Sequence, residues 1–228
     1  MSRTANDLIS VLRSWIGFSE ANGKYRSIID LYNSHKPLAR GYKVQYNDEW
    51  CDTTVSAAAI KTGMTDLIGT ECGCEEHVKI FKKKGIWIED GTVHPEPGYI
   101  VLYNWKQFSQ PNDGYSNHIG VVESVQGNTF TVIEGNKGNA ISRRSIPIGW
   151  GYIRGFAAPR YETETKQALS IDEVAQNVLL GKYGNGEKRR QALQDLGLDA
   201  DAVQRRVNEL VKGCLLYTSP SPRDRSLS

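Results

Sequence analysis

Two residues of this sequence, Cys51 and His118, have the types and positions needed for nucleophilic catalysis. Cys51 opens the run Cys-Asp-Thr-Thr-Val-Ser-Ala-Ala-Ala-Ile-Lys-Thr-Gly, whose apolar spacing predicts a helix that ends near Gly63. A thiol attacks as its thiolate, and the partial positive charge at a helix N-terminus lowers the thiol pKa. A lone cysteine is more often a small buried apolar residue, so the interpretation of Cys51 as a nucleophile depends on a base beside it.

The candidate bases are the histidines of the chain, which are His35, His77, His94 and His118. His118 begins the apolar run His-Ile-Gly-Val-Val, which predicts a strand able to hold the imidazole rigidly. Glu134 and Asn136 lie on or just after the next predicted strand and could fix the tautomer of that ring. The sequence therefore predicts a site made of Cys51, His118, Glu134 and Asn136.

The turn between these two strands decides whether the site can form. An odd-length loop around Gly127 places Glu134 on the same face as His118, whereas a two-residue loop places them on opposite faces. The proposed chemistry therefore predicts a three-residue loop with Gly127 in the left-handed conformation.

The surrounding pattern predicts helices first and strands afterwards, which is typical of an α+β domain with an antiparallel sheet. Helices are predicted at Leu8 to Ile16, after Cys51, and at Glu75 to Lys84, and the segment from Gly17 to Trp50 is interpreted as a loop. Strands are predicted at 99–103, 118–125, 129–134 and 150–156.

The C-terminal part of the chain has a different pattern. Ser170-Ile-Asp-Glu173 has the form of a capping box, and further helices are predicted at 187–196 and 201–212, giving a small three-helix bundle. The predicted organisation is a catalytic domain at 1–161, a linker at 162–169, the helical module at 170–213 and a tail at 214–228. The tail looks like translated sequencing adaptor and is expected to be disordered and dispensable.

Three short motifs make the first domain recognisable. Tyr-Asn-Asp-Glu-Trp-Cys51, Asn-His118-Ile-Gly-Val-Val and Ile-Glu134-Gly-Asn136 resemble the motifs of the CHAP family, within the NlpC/P60-like, papain-related cysteine hydrolases. The resemblance extends from about Asp7 to Arg160. It implies a papain-like fold and peptidoglycan as substrate, with Cys51 as nucleophile, His118 as base and then acid, Glu134 as orienting group and Asn136 as a supporting polar group.

The C-terminal module resembles the CW_7 cell-wall-binding repeat over Ser170 to Leu210. The resemblance implies contact with peptidoglycan, although the glycines around Tyr183 could equally form only a turn between helices. The implied wall-binding residues are Tyr183, Gly184, Asn185, Arg189, Gln204 and Asn208.

Composition limits the remaining possibilities. The formal net charge of +2 and the pI of about 8.3 fall short of the basic surface typical of nucleic-acid binding. No apolar segment approaches the length of a membrane span, and the N-terminus has no export signal. The expected protein is a monomer that is made in a host cytoplasm, binds neither nucleic acid nor membrane, and acts on the wall after release.

No cofactor or metal is expected. Cys72, Cys74 and His77 resemble a fragment of a zinc site without a fourth ligand, and they are expected to lie away from Cys51 and His118. A calcium site at Asn47, Asp48 and Asp52 is a further alternative that the sequence favours less.

The predicted function is therefore cysteine-dependent hydrolysis of a peptidoglycan amide bond, by an N-acetylmuramoyl-L-alanine amidase or an endopeptidase similar to a phage endolysin. Two alternatives are compatible with the same residues. One is a non-catalytic wall-binding protein, and the other is a cysteine hydrolase of another substrate class.

Overall fold

A computed structural model describes residues 3–163 and 170–216, which form two compact units. The first unit is α+β, with helices preceding an antiparallel sheet, and the second contains three helices, so the predicted fold class is confirmed. The first unit ends at Thr163. Glu162, interpreted from sequence as linker, belongs to it because its backbone N–H donates to the Arg3 carbonyl at 3.0 Å. The rest of the predicted linker, 164–169, lies outside the described residues.

Five helices build the first half of this unit: α1 Ala5–Ser14, α2 Arg26–Ser34, α3 Cys51–Lys61, α4 Thr65–Ile68 and α5 Cys74–Lys84. The loop predicted between Gly17 and Trp50 is wrong, because α2 lies within it. No side chain caps α2, so the start signal that sequence patterns rely on is missing. The helix is stabilised instead by burial of Ile28, Ile29 and Tyr32.

Helix α3 is the central helix of the unit. Its residues from Cys51 to Ala59 are all buried, and the small side chains of Ala57, Ala58 and Ala59 are fully buried. A helix buried on every side is held by its neighbours rather than by one amphipathic face. The position of its first residue is therefore fixed by the core of the protein.

Six strands form the sheet: β1 Trp87–Ile88, β2 Ile100–Tyr103, β3 His118–Gln126, β4 Thr129–Glu134, β5 Ser142–Pro147 and β6 Ile153–Ala157. Their order is β1-β6-β2-β3-β4-β5, and every neighbouring pair is antiparallel. The edge strands β1 and β5 were not predicted. Strand β5 is mostly polar, and its side chains alternate between exposed and partly buried positions, which is typical of an edge strand. Few apolar residues mark it in the sequence.

Both faces of the sheet are buried. Ile119, Val121 and Ile133 pack into the helical core, whereas Val122 and Val132 pack into a second core on the opposite face. Side chains alternate between faces along each strand, so a change of register would exchange the two sets.

The β3–β4 hairpin differs from its predicted form. Gln126 pairs with Thr129, so the loop has two residues rather than three, although Gly127 is left-handed as predicted, with φ of +56°. The register then shifts between Val122 and Ser124 through a bulge at Glu123. A two-residue loop without a bulge would place Glu134 and His118 on opposite faces of the sheet. The extra residue at the bulge shifts the pairing by one position and brings Glu134 to the same face as His118.

The bulge residue Glu123 is held by two arginines. Its carboxylate accepts hydrogen bonds from Arg143 at 2.5 and 2.8 Å and from Arg13 at 2.7 Å. These partners outweigh partial burial and lower the pKa of Glu123 to about 2. The register of the hairpin is therefore fixed by contacts with α1 and β5, which are distant in sequence.

The second unit consists of α6 Ile171–Leu179, α7 Glu187–Asp195 and α8 Ala200–Leu216. Ser170 and Glu173 form the predicted capping box, which is confirmed. The buried residues of this unit are Val174, Ala175, Val178, Leu193, Val203 and Val207. Helix α8 continues to Leu216, into the tail predicted to start at 214, and residues 217–228 lie outside the described part.

Among the described residues, no helix is both long enough and apolar enough to cross a membrane.

Candidate active site

Cys51 is the first residue of α3, as the sequence predicts. No side chain caps this helix, so the backbone N–H groups of its first turn have no side-chain partner. Because Cys51 is the first residue, these groups lie near its sulfur. The residue is 7% exposed, and it lies at the edge of the helical core. The local environment therefore combines partial positive charge with limited access for a substrate.

His118 and Glu134 lie in direct contact beside this helix. The Nε2 atom of His118 is 3.2 Å from Oε2 of Glu134, and the imidazole lies close enough to the Cys51 thiol for the two groups to shift each other's pKa. Since Nε2 is occupied by Glu134, Nδ1 is the nitrogen available to the sulfur. Three of the predicted residues are thus brought together in the order thiol, imidazole, carboxylate.

The groups around Cys51 and His118 favour a thiolate on Cys51 and an imidazolium on His118. A hydrogen bond with Cys74 has the largest effect on Cys51, and together with His118 it outweighs burial and lowers the Cys51 pKa to about 6. Burial opposes the charged form of His118, but hydrogen bonds with Cys51 and Glu134 outweigh it and raise the His118 pKa to about 9. The proton therefore leaves Cys51 before it leaves His118.

Glu134 is fully buried and has a second cationic partner, Arg144. The Arg144 Nε atom donates to the two carboxylate oxygens at 2.8 and 3.0 Å. Burial favours the neutral carboxyl, but hydrogen bonds from His118 and Arg144 lower the pKa of Glu134 below its usual value. The carboxylate is therefore ionised and fixed in orientation. Sequence reasoning missed Arg144 because it missed the edge strand β5 that carries it.

Aromatic rings pack around the histidine. Tyr103 lies opposite His118 in the β2–β3 pair, with ring centroids 5.8 Å apart, and Trp105 stacks on Tyr103 at 4.7 Å. The guanidinium of Arg144 lies 5.1 Å from the Trp105 ring centroid. These contacts restrict rotation of the imidazole and of its carboxylate partner.

Two glycines allow the elements of the site to approach one another. A Cβ on Gly120 would lie 2.5 Å from Val132 Cγ1 and 2.8 Å from Glu134 Cγ. A Cβ on Gly135 would lie 2.0 Å from Thr54 Oγ1 in the second turn of α3. Gly120 thus leaves space for the carboxylate, and Gly135 brings the end of β4 against the helix of Cys51.

Asn136 contacts a residue other than His118. Its side-chain amide donates to the Glu49 carboxylate rather than supporting His118, and its backbone has φ of +56°. Glu49 lies just before Trp50 and Cys51, so this contact ties the end of β4 to the start of α3. Of the two polar groups that could orient His118, Glu134 contacts the ring and Asn136 contacts Glu49.

Cys74 was expected to lie away from the site, and that expectation is wrong. Its Sγ is 3.6 Å from Cys51 Sγ, both residues are buried, and both thiols are free. Cys72 lies apart from this pair, with its sulfur 3.5 Å from Arg40 Nη2. The signal in the sequence was that Cys74, like Cys51, begins a helix, but the predicted start at Glu75 left it in a loop.

The residues considered as metal ligands have other partners. His77 Nδ1 is 2.6 Å from Asp52 Oδ1, in a fully buried pair that joins α5 to α3. Asp48 accepts hydrogen bonds from Tyr42 and from the Gln45 backbone. Within residues 3–163 and 170–216, no group of three or more His, Cys, Asp or Glu side chains is arranged to hold a metal ion.

In the second unit, most of the predicted wall-binding residues form one network. Arg189 donates to the Gly184 carbonyl at 3.0 Å, to Asn185 Oδ1 at 2.7 Å and to Gln204 Oε1 at 3.2 Å. Gln204 donates in turn to Asn208 Oδ1 at 3.0 Å. Tyr183 is the exception, because it packs against the helical core.

A cavity of about 310 Å³ adjoins this network. Arg189, Gln204 and Asp201 contribute polar groups to its walls. The second unit therefore presents a polar, partly charged concavity to solvent.

Comparison with known protein families identifies both parts of the chain. Residues 41–136 match the CHAP domain, and residues 172–211 match the CW_7 repeat. The predicted families are confirmed, and the CHAP match covers a shorter range than the resemblance, which runs from about Asp7 to Arg160. The match also agrees with the predicted papain-like fold.

Two solved structures are similar to this chain: the crystal structure of Ly7917, and Ly7917 with the hydrolyzing product of MDP. Their sequence identities to this chain are 16% and 17%, with TM-scores of 0.34 and 0.35. Each match covers 68% of this chain and 62% or 63% of the solved chain, so this chain spans less than two thirds of their length. A comparison with curated proteins gave no match.

Proposed function

Since this chain carries a CHAP domain followed by a CW_7 repeat, we propose that it is a peptidoglycan hydrolase that uses Cys51 as its nucleophile. Its substrate is an amide bond, either the N-acetylmuramoyl-L-alanine bond or a peptide bond of the stem or crossbridge. One observation carries the proposal: a thiol at a helix N-terminus interacts with an imidazole whose Nε2 atom is 3.2 Å from a buried carboxylate.

In the proposed mechanism, the Cys51 thiolate attacks the amide carbonyl carbon and forms a tetrahedral oxyanion. The unsatisfied N–H groups in the first turn of α3 can donate hydrogen bonds to this oxyanion. His118 then transfers its proton to the departing amine, and the C–N bond breaks to leave a thioester on Cys51.

The second half of the reaction uses the same residues. Neutral His118 removes a proton from water, the water attacks the thioester, and the C–S bond breaks to release a carboxylate and the Cys51 thiolate. Glu134 keeps the imidazole in one orientation and stabilises its charged form, and Arg144 keeps Glu134 ionised.

The pH dependence of hydrolysis tests this mechanism. With pKa values of about 6 for Cys51 and about 9 for His118, the thiolate–imidazolium pair is present between these limits. Below the lower limit the thiolate gains a proton, and above the upper limit the imidazolium loses the proton that the leaving amine needs. We expect kcat/KM on a soluble muropeptide to follow a bell-shaped curve with these two limbs.

A pH-independent rate across the lower limb would contradict the thiolate mechanism. The Glu134→Gln variant serves as the internal comparison, because the amide cannot stabilise the imidazolium as the carboxylate does. Its upper limb should therefore move to lower pH.

We propose in addition that the second unit retains the enzyme on the cell wall. The network around Arg189 and the adjoining cavity support this role, since their clustered donors and acceptors suit the hydroxyl and amide groups of a glycopeptide. The catalytic unit would then encounter many substrate bonds for each binding event.

Wall retention is tested by Arg189→Ala. The variant loses three hydrogen-bond donations, to Gly184, Asn185 and Gln204. We expect its binding to purified cell walls in a pull-down to fall by about tenfold, while its rate on a soluble muropeptide stays unchanged. Lys188→Ala is the control, because Lys188 is an exposed neighbour on the same helix. Equal retention of Arg189→Ala and the unaltered protein would exclude this network from wall binding.

The bond cleaved and the biological setting are part of the proposal. Mass spectrometry of digested peptidoglycan distinguishes an amidase, which frees the lactyl carboxylate of muramic acid and the amine of L-alanine, from an endopeptidase, which leaves that amide intact and cleaves between two amino acids. An endolysin-like role predicts that the added protein lyses susceptible cells from outside. Intact walls after prolonged digestion would contradict both assignments.

A further inference from the structure

The sulfur atoms of Cys51 and Cys74 form a close pair of free thiols. They are 3.6 Å apart, and each residue is 7% exposed. This distance is within the range of a hydrogen bond between sulfur atoms, and either sulfur can be the donor. The mechanism above uses Cys51 and gives no role to its neighbour.

Two helix N-termini converge on this pair. Cys51 begins α3 and Cys74 begins α5, each helix has 11 residues, and neither receives a side-chain cap. Each N-terminus contributes partial positive charge, so a negative charge anywhere on the pair is favoured twice. A single charge with one retained proton suits this environment, whereas two thiolates at this separation would repel each other.

The contacts of each sulfur decide where the proton remains. Cys51 also interacts with His118 on β3, whereas both sulfurs are near the Asp52 carboxylate, which opposes ionisation of either one. The imidazolium stabilises the charge on Cys51. Cys74 therefore keeps its proton and is the donor of the hydrogen bond, a direction that agrees with its pKa, which is raised well above the usual value.

We propose that Cys74 is a second catalytic thiol, whose S–H group donates a hydrogen bond to the Cys51 sulfur and holds it as a thiolate before substrate binds. This inference rests on the proposed thiol mechanism and adds a residue to it. The same hydrogen bond makes the Cys51 sulfur a better leaving group when water hydrolyses the thioester, because a thiol of lower pKa leaves faster.

The stabilisation also makes the thiolate less nucleophilic, so its benefit depends on pH. At acidic pH, most Cys51 would be an unreactive thiol without Cys74, and the hydrogen bond raises the reactive fraction. At alkaline pH, Cys51 is ionised with or without the hydrogen bond, and the benefit to attack disappears. Loss of Cys74 should therefore affect attack by Cys51 mainly at low pH.

Alkylation by iodoacetamide measures this effect without any substrate. The rate at Cys51, followed by mass spectrometry of the modified peptide, reports its thiolate fraction at each pH. We expect Cys74→Ala to move the inflection upwards by about one pH unit, which lowers the thiolate fraction near the wild-type inflection by about fivefold. The Cys74→Ser variant retains a donor and should stay closer to the wild-type curve.

Cys72→Ala is the matched control. Cys72 lies two residues from Cys74, but its sulfur faces Arg40 rather than the thiol pair. Its removal should leave the Cys51 curve in place. An unchanged inflection in folded Cys74→Ala, with folding checked by circular dichroism, would overturn the proposal.

A second measurement needs no change at either thiol of the pair. In the double variant Cys72→Ala, Cys214→Ala, Cys51 and Cys74 are the remaining cysteines of the chain. Ultraviolet absorbance should record one thiolate appearing near pH 6, the pKa of Cys51, and no second thiolate until well above the usual cysteine range. Two thiolates that ionise together would refute the shared-proton pair.

These measurements separate the two levels of inference. If Cys74 governs the Cys51 titration but Cys51→Ala still hydrolyses peptidoglycan, the thiol pair exists and the proposed function fails. If Cys51→Ala is inactive and the titration ignores Cys74, the proposed function stands and the second thiol has no role.

Discussion

Replacing Cys51 with alanine is expected to abolish hydrolysis of peptidoglycan while the protein stays folded and bound to the wall. Removal of a nucleophile eliminates the covalent pathway, and comparable triad deletions lower kcat by about ten-thousand-fold or more. The missing sulfur leaves only a small gap at the margin of the core, so the fold should persist. The measurement is the release of new amine termini from purified walls, with circular dichroism as the check of folding.

The control for this experiment is Cys72→Ala, which removes a thiol outside the sulfur pair. It should keep its activity, and it shows whether loss of any cysteine impairs the enzyme. His118→Ala should resemble Cys51→Ala, because the thiol then lacks both its base and the acid for the leaving group. Folded Cys51→Ala protein that still releases termini would refute the thiol mechanism.

The second large effect is expected at Gly120, where an added methyl group would collide with the side chain of Glu134 and with its neighbour Val132. In Gly120→Ala, the new Cβ would lie 2.5 Å from Val132 Cγ1 and 2.8 Å from Glu134 Cγ, and these neighbours are in a fully packed strand pair. We expect the free energy of unfolding to fall by about 1–3 kcal/mol, as in other overpacked cores. Hydrolysis should fall by more than about tenfold even where the variant is folded, because Glu134 no longer aligns with His118.

Gly127→Ala separates the two effects within the same hairpin. Gly127 has open space around it, but its φ of +56° disfavours a side chain. The variant should lose about 1–2 kcal/mol of stability and keep its hydrolytic rate per folded molecule. Urea unfolding and single-substrate kinetics on both variants test this contrast. Equal loss of activity in both would show that hairpin stability, rather than Glu134 alignment, controls catalysis.

The strands of the β3–β4 hairpin could be predicted from the sequence, but its register could not. Alternation of apolar residues predicted β3 and β4 closely, and β4 has its predicted bounds at Thr129–Glu134. A three-residue turn was predicted because Glu134 and His118 must lie on one face of the sheet. In the structure, a bulge at Glu123 places them on that face instead. No local sequence pattern indicates that bulge, because Arg13 and Arg143 stabilise it from other elements.

The first candidate site was incomplete for a similar reason. Cys51, His118 and Glu134 were identified from helix-start and strand patterns together with family motifs, which are properties of short segments. Cys74 and Arg144 contact those residues from α5 and β5, elements that are neighbours of the site only in the folded chain. Asn136 belongs to a motif, but its partner Glu49 could be identified only once α3 and β4 were packed together.

By itself, the sequence determined the α+β class, the helical C-terminal module and the position of Cys51 at a helix N-terminus. These depend on periodicity, capping and composition, which act over a few residues. The tertiary structure alone decided the register of the hairpin, the second thiol beside Cys51 and the arginine behind Glu134. Each of these depends on contacts between segments that are distant in sequence, and local sequence patterns do not specify such contacts.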